Sequence, residues 1–153
     1  MFNNKDMFPK VCENIRKTDM ITNKYIYCYP ILLKCFKNII QNKSILDPII
    51  GMEVHNLGLY AINEFMDYVL EDENIKKFFE VRLYDRDAHR YSFEHAGKKV
   101  GDIQKLLNDY KAIQIDKIII CNLTHGNEIA RDFINLGIDN KDIVVLDALI
   151  YGI

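Results

Sequence analysis

From Ile49 onward, apolar and polar stretches alternate along this chain in a strand–helix rhythm. The apolar run Ile49–Met52 predicts a strand, with Pro48 suited to its first position. Leu57–Leu70 has helical spacing and predicts an amphipathic helix. Phe79–Tyr84 predicts a second strand ending at Asp85, followed by a long polar connection, Arg86–Lys98. Lys99–Val100 reads as a short third strand. Asp102–Tyr110 predicts a helix with Ile103, Leu106, Leu107 and Tyr110 inward. Lys117–Cys121, KIIIC, is a continuous apolar run, as expected of a central parallel strand covered on both faces. Glu128–Leu136 predicts a helix with Gly137 as its C-cap, and Ile143–Leu146 the last strand. Strands alternating with helices predict an α/β fold: a Rossmann-like three-layer sandwich with a parallel sheet and right-handed crossovers.

The first 44 residues break this rhythm. They predict a helical amino-terminal extension, residues 1–44, ahead of a Rossmann-like domain, 45–153. Pro9–Arg16 is a short helical candidate. Pro30–Ile40 is a longer one, with Pro30 placed in the first helical turn. Ile31, Leu32, Cys35, Phe36, Ile39 and Ile40 form one apolar stripe, which predicts burial of Leu32, Phe36 and Ile39. The stripe could cover the following domain or pair with a second copy of the chain in a homodimer.

Composition narrows the classes. Hydrophobic residues make up 49% of the 153 and charged residues 27%, which is globular rather than disordered. The net charge of -2 offers no basic excess for nucleic acid or anionic lipid. Cys12, Cys28, Cys35 and Cys121 have neither C-x-x-C nor zinc-site spacing, so reduced thiols and no metal site are expected. Neither a secretory signal nor a membrane-length apolar run is read, so no membrane insertion and a cytoplasmic location are expected.

Candidate chemistry gathers in three segments. IIGMEVHNLG, Ile49–Gly58, reads as the strand–turn–helix position where a nucleotide-binding α/β domain carries its G-x-G-x-x-G loop. In that register the loop positions are Glu53, Val54, His55, Asn56, Leu57 and Gly58, and only the third glycine is retained. Glu53 adds a negative charge and His55 a side chain where backbone would approach a pyrophosphate. Asn56 could cap the following helix. Either His55 contacts an anion itself, or the loop is filled by its own side chains. NAD(P) is not expected to bind.

Asp85 closes the second strand and, with Asp87, could receive ribose or sugar hydroxyls. A strand-end turn accounts for the same residues. Asn122, Thr124 and His125 follow the KIIIC strand. Thr124 could cap the next helix, while Asn122 and His125 would face the crevice. His125 is the one candidate general base, although a solitary loop histidine is commonly a surface hydrogen-bonding group. His89 and His95 suit no metal site. Neither a G-x-S-x-G elbow nor a Walker loop is present.

The succession IIGMEVHNLGLYA, VRLYDRD, GKKV, IDKIIICNLTHGNEI and NLGI resembles a recurring Rossmann-like module. It is similar to the nucleotide-binding, CoA-binding-like domains of bacterial polysaccharide-biosynthesis proteins. These include nucleotide-sugar epimerase/dehydratase relatives and the amino-terminal domains of sugar acetyltransferases. The resemblance spans about Pro48 to Leu146. It implies a nucleotide, nucleotide-sugar or acyl-CoA ligand near Gly58, Asp85 and Thr124. No counterpart of those proteins' catalytic parts is present: no Y-x-x-x-K pair follows the sheet, and there is no hexapeptide repeat. The expected function is a ligand-binding domain accessory to surface-sugar metabolism. The alternative is a non-catalytic interaction or assembly module with a decayed nucleotide site.

Overall fold

The computed structural model describes residues 19–152, with side chains described from Cys28. The expected helix Pro9–Arg16 and Cys12 lie outside the described residues. Helix α1, Asp19–Ile40, contains Pro30 in its interior rather than in its first turn. A single helical turn, α2, Asp47–Ile50, follows. Strand β1, Asn56–Tyr60, leads to α3, Glu64–Leu70, and β2 is Glu80–Tyr84. The hairpin strands β3, Glu94–His95, and β4, Lys98–Gly101, precede α4, Ile103–Lys111. Then come β5, Lys117–Ile120; α5, Gly126–Asn135; β6, Ile143–Val145; and α6, Leu146–Tyr151.

The sheet order is β3-β4-β2-β1-β5-β6, antiparallel only between β3 and β4. Taken alone, the five parallel strands run 3-2-1-4-5 in chain order, the doubly wound arrangement, and its order reverses between β1 and β5. Helices cover both faces. On one, Cys28, Ile31 and Cys35 of α1 share a core with Leu57, Leu59, Ile119, Met66 and Leu146. On the other, Leu106 of α4 and Phe133 of α5 pack on Tyr60, Tyr84, Ile118 and Ile120. This is the expected Rossmann-like three-layer α/β sandwich. KIIIC supplies an inner parallel strand, but β1 rather than β5 takes the middle of the parallel set.

The element before it is shifted. Ile49–Met52 is not a strand: Pro48 opens the turn of α2, where its missing N–H costs nothing, and Ile49 is buried. The residues expected to start a helix at Leu57 instead form β1. Leu57 and Leu59 enter one core and Tyr60 the other, a period of two. The helix begins only after Asn63, whose extended backbone and side-chain carbonyl cap it.

Gly58 therefore sits inside the middle strand, not in a phosphate loop. A Cβ there would meet Ile115 at 3.3 Å and the Tyr84 ring at 3.4 Å, so its bareness serves packing between strands.

The α1 stripe is also rotated from expectation. Cys28, Ile31, Cys35 and Asn38 face inward, whereas Phe36 is 42% and Ile39 56% exposed. The Asn38 amide donates to the Ile150 carbonyl at 3.1 Å, which fixes this face against α6.

Candidate functional site

A crevice of about 980 Å³ opens beyond the carboxyl ends of the parallel strands. Three loops meet there: 61–63 after β1, 85–87 after β2 and 121–125 after β5. This is where a doubly wound sheet binds its ligands.

The loop after β1 is held by its own side chains and its neighbours'. Ala61 adopts a positive φ of 77°, a conformation that favours glycine, at the turn where the fingerprint would carry its first glycine. Its N–H donates to the Tyr84 carbonyl at 3.0 Å. The Asn63 carbonyl oxygen accepts from the N–H groups of Phe65 and Met66 at 2.8 and 3.2 Å. The Asn63 amide donates to the Cys121 carbonyl at 3.1 Å and so ties the two loops at the switch point. The backbone donors that commonly receive a phosphate at such a helix start are thus occupied from within.

Asp85 is fully engaged with backbone. One carboxylate oxygen accepts from Ile62 N–H at 2.8 Å and the other from Asp87 N–H at 2.7 Å. It positions both loops. Asp87 is the freer acceptor, with Arg86 at 3.6 Å and Arg90 at 3.9 Å from its carboxylate. The buried Tyr60 phenol stands beneath this loop. Burial, reinforced by Asp85, pushes it up to about 12, so it stays a neutral hydrogen-bonding group.

After β5, the Asn122 carbonyl oxygen accepts from His125 N–H at 2.9 Å and from the Thr124 hydroxyl at 3.1 Å. Contrary to expectation, Thr124 does not cap the helix; α5 starts at Gly126, with His125 at the N-cap position and no side-chain cap. His125 does have an acid neighbour, Glu128, with Nδ1 at 3.4 Å from Oε2. Both are exposed on the crevice rim, and the pair could relay a proton. Gly126 lets α5 approach β6 closely: a Cβ there would come within 2.5 Å of Val145.

The structure brings Asp85, Asp87, Asn122 and His125 to one crevice; Thr124 adjoins it through Asn122. Glu53, His55, Asn56 and Gly58 are not there. Glu53 borders a separate cavity at the amino end of the sheet, and the N–H groups of His55 and Asn56 donate to the Asp116 carboxylate at 2.9 and 2.7 Å. Asn56 begins a strand instead of capping a helix. The reason is the one-element shift: the chain before β1 lies at the end where parallel strands start.

Sequence reasoning missed Ala61, Ile62 and Asn63, and the rim carboxylates Glu128 and Asp132. One signal was available. Asn63 directly precedes the amphipathic EFMDYVL, an N-cap signature, and Asp85 follows it by 22 residues, nearer the usual spacing than from Gly58.

Among the described residues, no group of three or more His, Cys, Asp or Glu is placed to hold a metal ion. Nor is any described helix long and apolar enough to cross a membrane. No protein-family model matches the chain, and no curated protein matches it significantly.

Proposed function

We propose that this chain is a ligand-binding Rossmann-like domain, accessory to surface-sugar metabolism, whose crevice takes a nucleotide or nucleotide sugar through its hydroxyl-bearing part. The observation that carries this reading is the convergence of three strand-end loops on one crevice at the sheet's switch point. Asp87 offers an acceptor for hydroxyls, and Asn122 and His125 offer further polar groups. Carboxylates Asp85, Asp87, Glu128 and Asp132 border the crevice against one arginine, Arg86. That balance, with Asn63 filling the helix start, supports a sugar or ribose at the switch point and speaks against a pyrophosphate laid on α3. NAD(P) held by such a loop does not fit. The buried, free thiols of Cys35 and Cys121 support a reducing, cytoplasmic setting.

A thermal-shift screen with nucleotides, nucleotide sugars, NAD(P) and acyl-CoAs tests the reading. A ligand at 100 times its dissociation constant adds about 2.7 kcal/mol, a shift of several degrees for a domain of this size. The response should be strongest for nucleotide sugars and should fall with Asp87→Asn. Silence across the whole set would overturn it.

A second reading, an assembly module pairing through α1, has its own observation. Tyr29, Leu33, Phe36 and Ile40 are 60%, 47%, 42% and 79% exposed and follow one another at spacings of four, three and four. That is the spacing of a helix–helix seam, and it supports a homodimer. Sedimentation should then show a dimer that Leu33→Asp converts to a folded monomer. A monomeric native protein would remove this reading and leave the first intact.

A further inference from the structure

We infer that the cavity at the amino end of the sheet is a second ligand site, for a small oxyanion: a phosphate or carboxylate group received by Lys117. This cavity measures about 520 Å³ and lies at the end of the sheet opposite the crevice. Lys117 opens β5 and is 8% exposed, so its four-carbon stem is buried beside the core. Its ammonium donates to the Lys141 carbonyl at 3.0 Å, with the Met52 sulfur at 3.5 Å. No carboxylate among the described residues pairs with it.

An ammonium on a buried stem carries three donors and a full charge, and such charges are ordinarily paired where water is partly excluded. Here one donor meets a carbonyl and a second a weak thioether acceptor. The third donor and the uncompensated charge are left at a group that lines an open cavity. An oxyanion supplies the missing acceptor and the missing charge together.

The other charged groups around the cavity leave this role to Lys117. Asp116 is held by the backbone N–H groups of His55 and Asn56, and Asp142 accepts from the Tyr110 hydroxyl at 2.7 Å. Lys141 leans towards Asp139 at 3.7 Å. Glu53 and Lys111 complete the set of charged groups, so the cavity as a whole is balanced while its buried cation is not.

The test is a titration of the full chain with inorganic phosphate, followed by backbone amide NMR at constant ionic strength against chloride, with acetate as a parallel arm. Saturable shifts are expected at residues 52–54, at Lys117 and at residues 141–142, and not around 85–87 or 122–125. The stronger arm identifies the preferred oxyanion. Lys117→Met should weaken that binding at least tenfold, and Lys117→Arg should largely keep it. Absence of saturable shifts in both arms of the unsubstituted protein would overturn the inference, whatever the variants do. So would unchanged affinity in Lys117→Met, which would leave Lys117 as a stem-burying lysine that tethers the Lys141 carbonyl.

Discussion

The two ends of the parallel sheet are closed by the same device but lined by different charge, mainly carboxylates around the crevice and an even mix of lysines and carboxylates at the amino end. At the amino end, Asp116 accepts two backbone N–H groups from the segment entering β1. At the carboxyl end, Asp85, Asn63 and Asn122 do the equivalent for the loops leaving β1, β2 and β5. Asn63, Asn122 and one oxygen of Asp85 do this by reaching backbone two or three residues away, whereas Asp116 and the other Asp85 oxygen hold segments distant in the chain. Around the crevice the remaining groups are mainly carboxylates; at the other end, where lysines and carboxylates balance, Lys117 is a cation without a paired carboxylate among the described residues. A residue type that suits ligand binding is thus a poor guide by itself. Asp85 is occupied by backbone, whereas Asp87, two positions on, is open.

The ends also differ in how the adjoining helix is held. Below the crevice, α4 is bound to β2 by Asp109, whose side chain is 6% exposed. It accepts from the Tyr84 hydroxyl at 2.7 Å and pairs with Lys105 at 2.8 Å and Arg82 at 3.1 Å. Glycine makes room for this tyrosine on both sides: a Cβ at Gly58 or Gly101 would press on its ring at 3.4 or 3.0 Å. The α4–β2 contact therefore depends on charge, whereas the loops after β1 and β5 are held largely by the neutral amides of Asn63 and Asn122.

The largest effect should come from Asp109→Ala, which leaves a buried phenol without its acceptor and strips the Arg82 guanidinium of one of its two carboxylate partners, Glu80 being the other. Because Arg82 and Lys105 still reach solvent, the loss should be about 3 kcal/mol in urea denaturation, at the low end for a broken buried pair. Asp85→Ala should come next. Two partly buried N–H groups lose their partner, for about 2 kcal/mol, and Asp85→Asn should recover part of it. Asp116→Ala at the opposite end should cost about 1 kcal/mol, since one of its donors faces water. If Asp85→Ala proved costlier than Asp109→Ala, the contrast between the charge cluster and the crevice loops would fail.

Acid should separate the halves without mutation. Burial pushes the Asp109 carboxyl up, but hydrogen bonds from Lys105, Tyr84 and Arg82 outweigh it and hold the group below its ordinary value. A folded-state pKa below the unfolded one gives stability that is whole above about pH 4 and drains away as pH falls through the folded value. Hydrogen exchange at falling pH should therefore release the last turn of α4 before the Asn63 and Asn122 loops. Simultaneous release would show that the charge cluster is not what holds α4. The smallest stability effect belongs to Asp87→Asn, within about 0.5 kcal/mol, because no backbone group depends on that side chain. A larger loss would make Asp87 a structural residue and weaken its case as the ligand's acceptor.

The stretches that were legible in the sequence share a property: their pattern is the same under either periodicity or too long to mistake. KIIIC is buried on both faces, so no alternation is needed to recognise it. Asp102 before an amphipathic run and Gly137 after one announce the ends of helices, and both act there, Asp102 accepting from Lys105 N–H at 2.8 Å and Gly137 with φ of 99°. NLGLY and DPII were misread because four or five residues satisfy the strand and helix templates equally. That single shift carried Glu53, His55, Asn56 and Gly58 to the wrong end of the sheet while leaving Asp85, Asn122 and His125 in place.

The sequence by itself determined the α/β class, most strand and helix positions after Phe79, and the loops after β2 and β5. Those follow from local hydrophobic period and from capping and turn residues, which act within a few positions of the chain. Only the tertiary structure decided which face of α1 is buried, which carboxylates are consumed by backbone, and that Lys117 lacks a counter-charge. Those outcomes depend on partners 23 to 112 residues away, such as Ile62 for Asp85 and Ile150 for Asn38. No local pattern in the chain specifies which distant donor or acceptor will arrive.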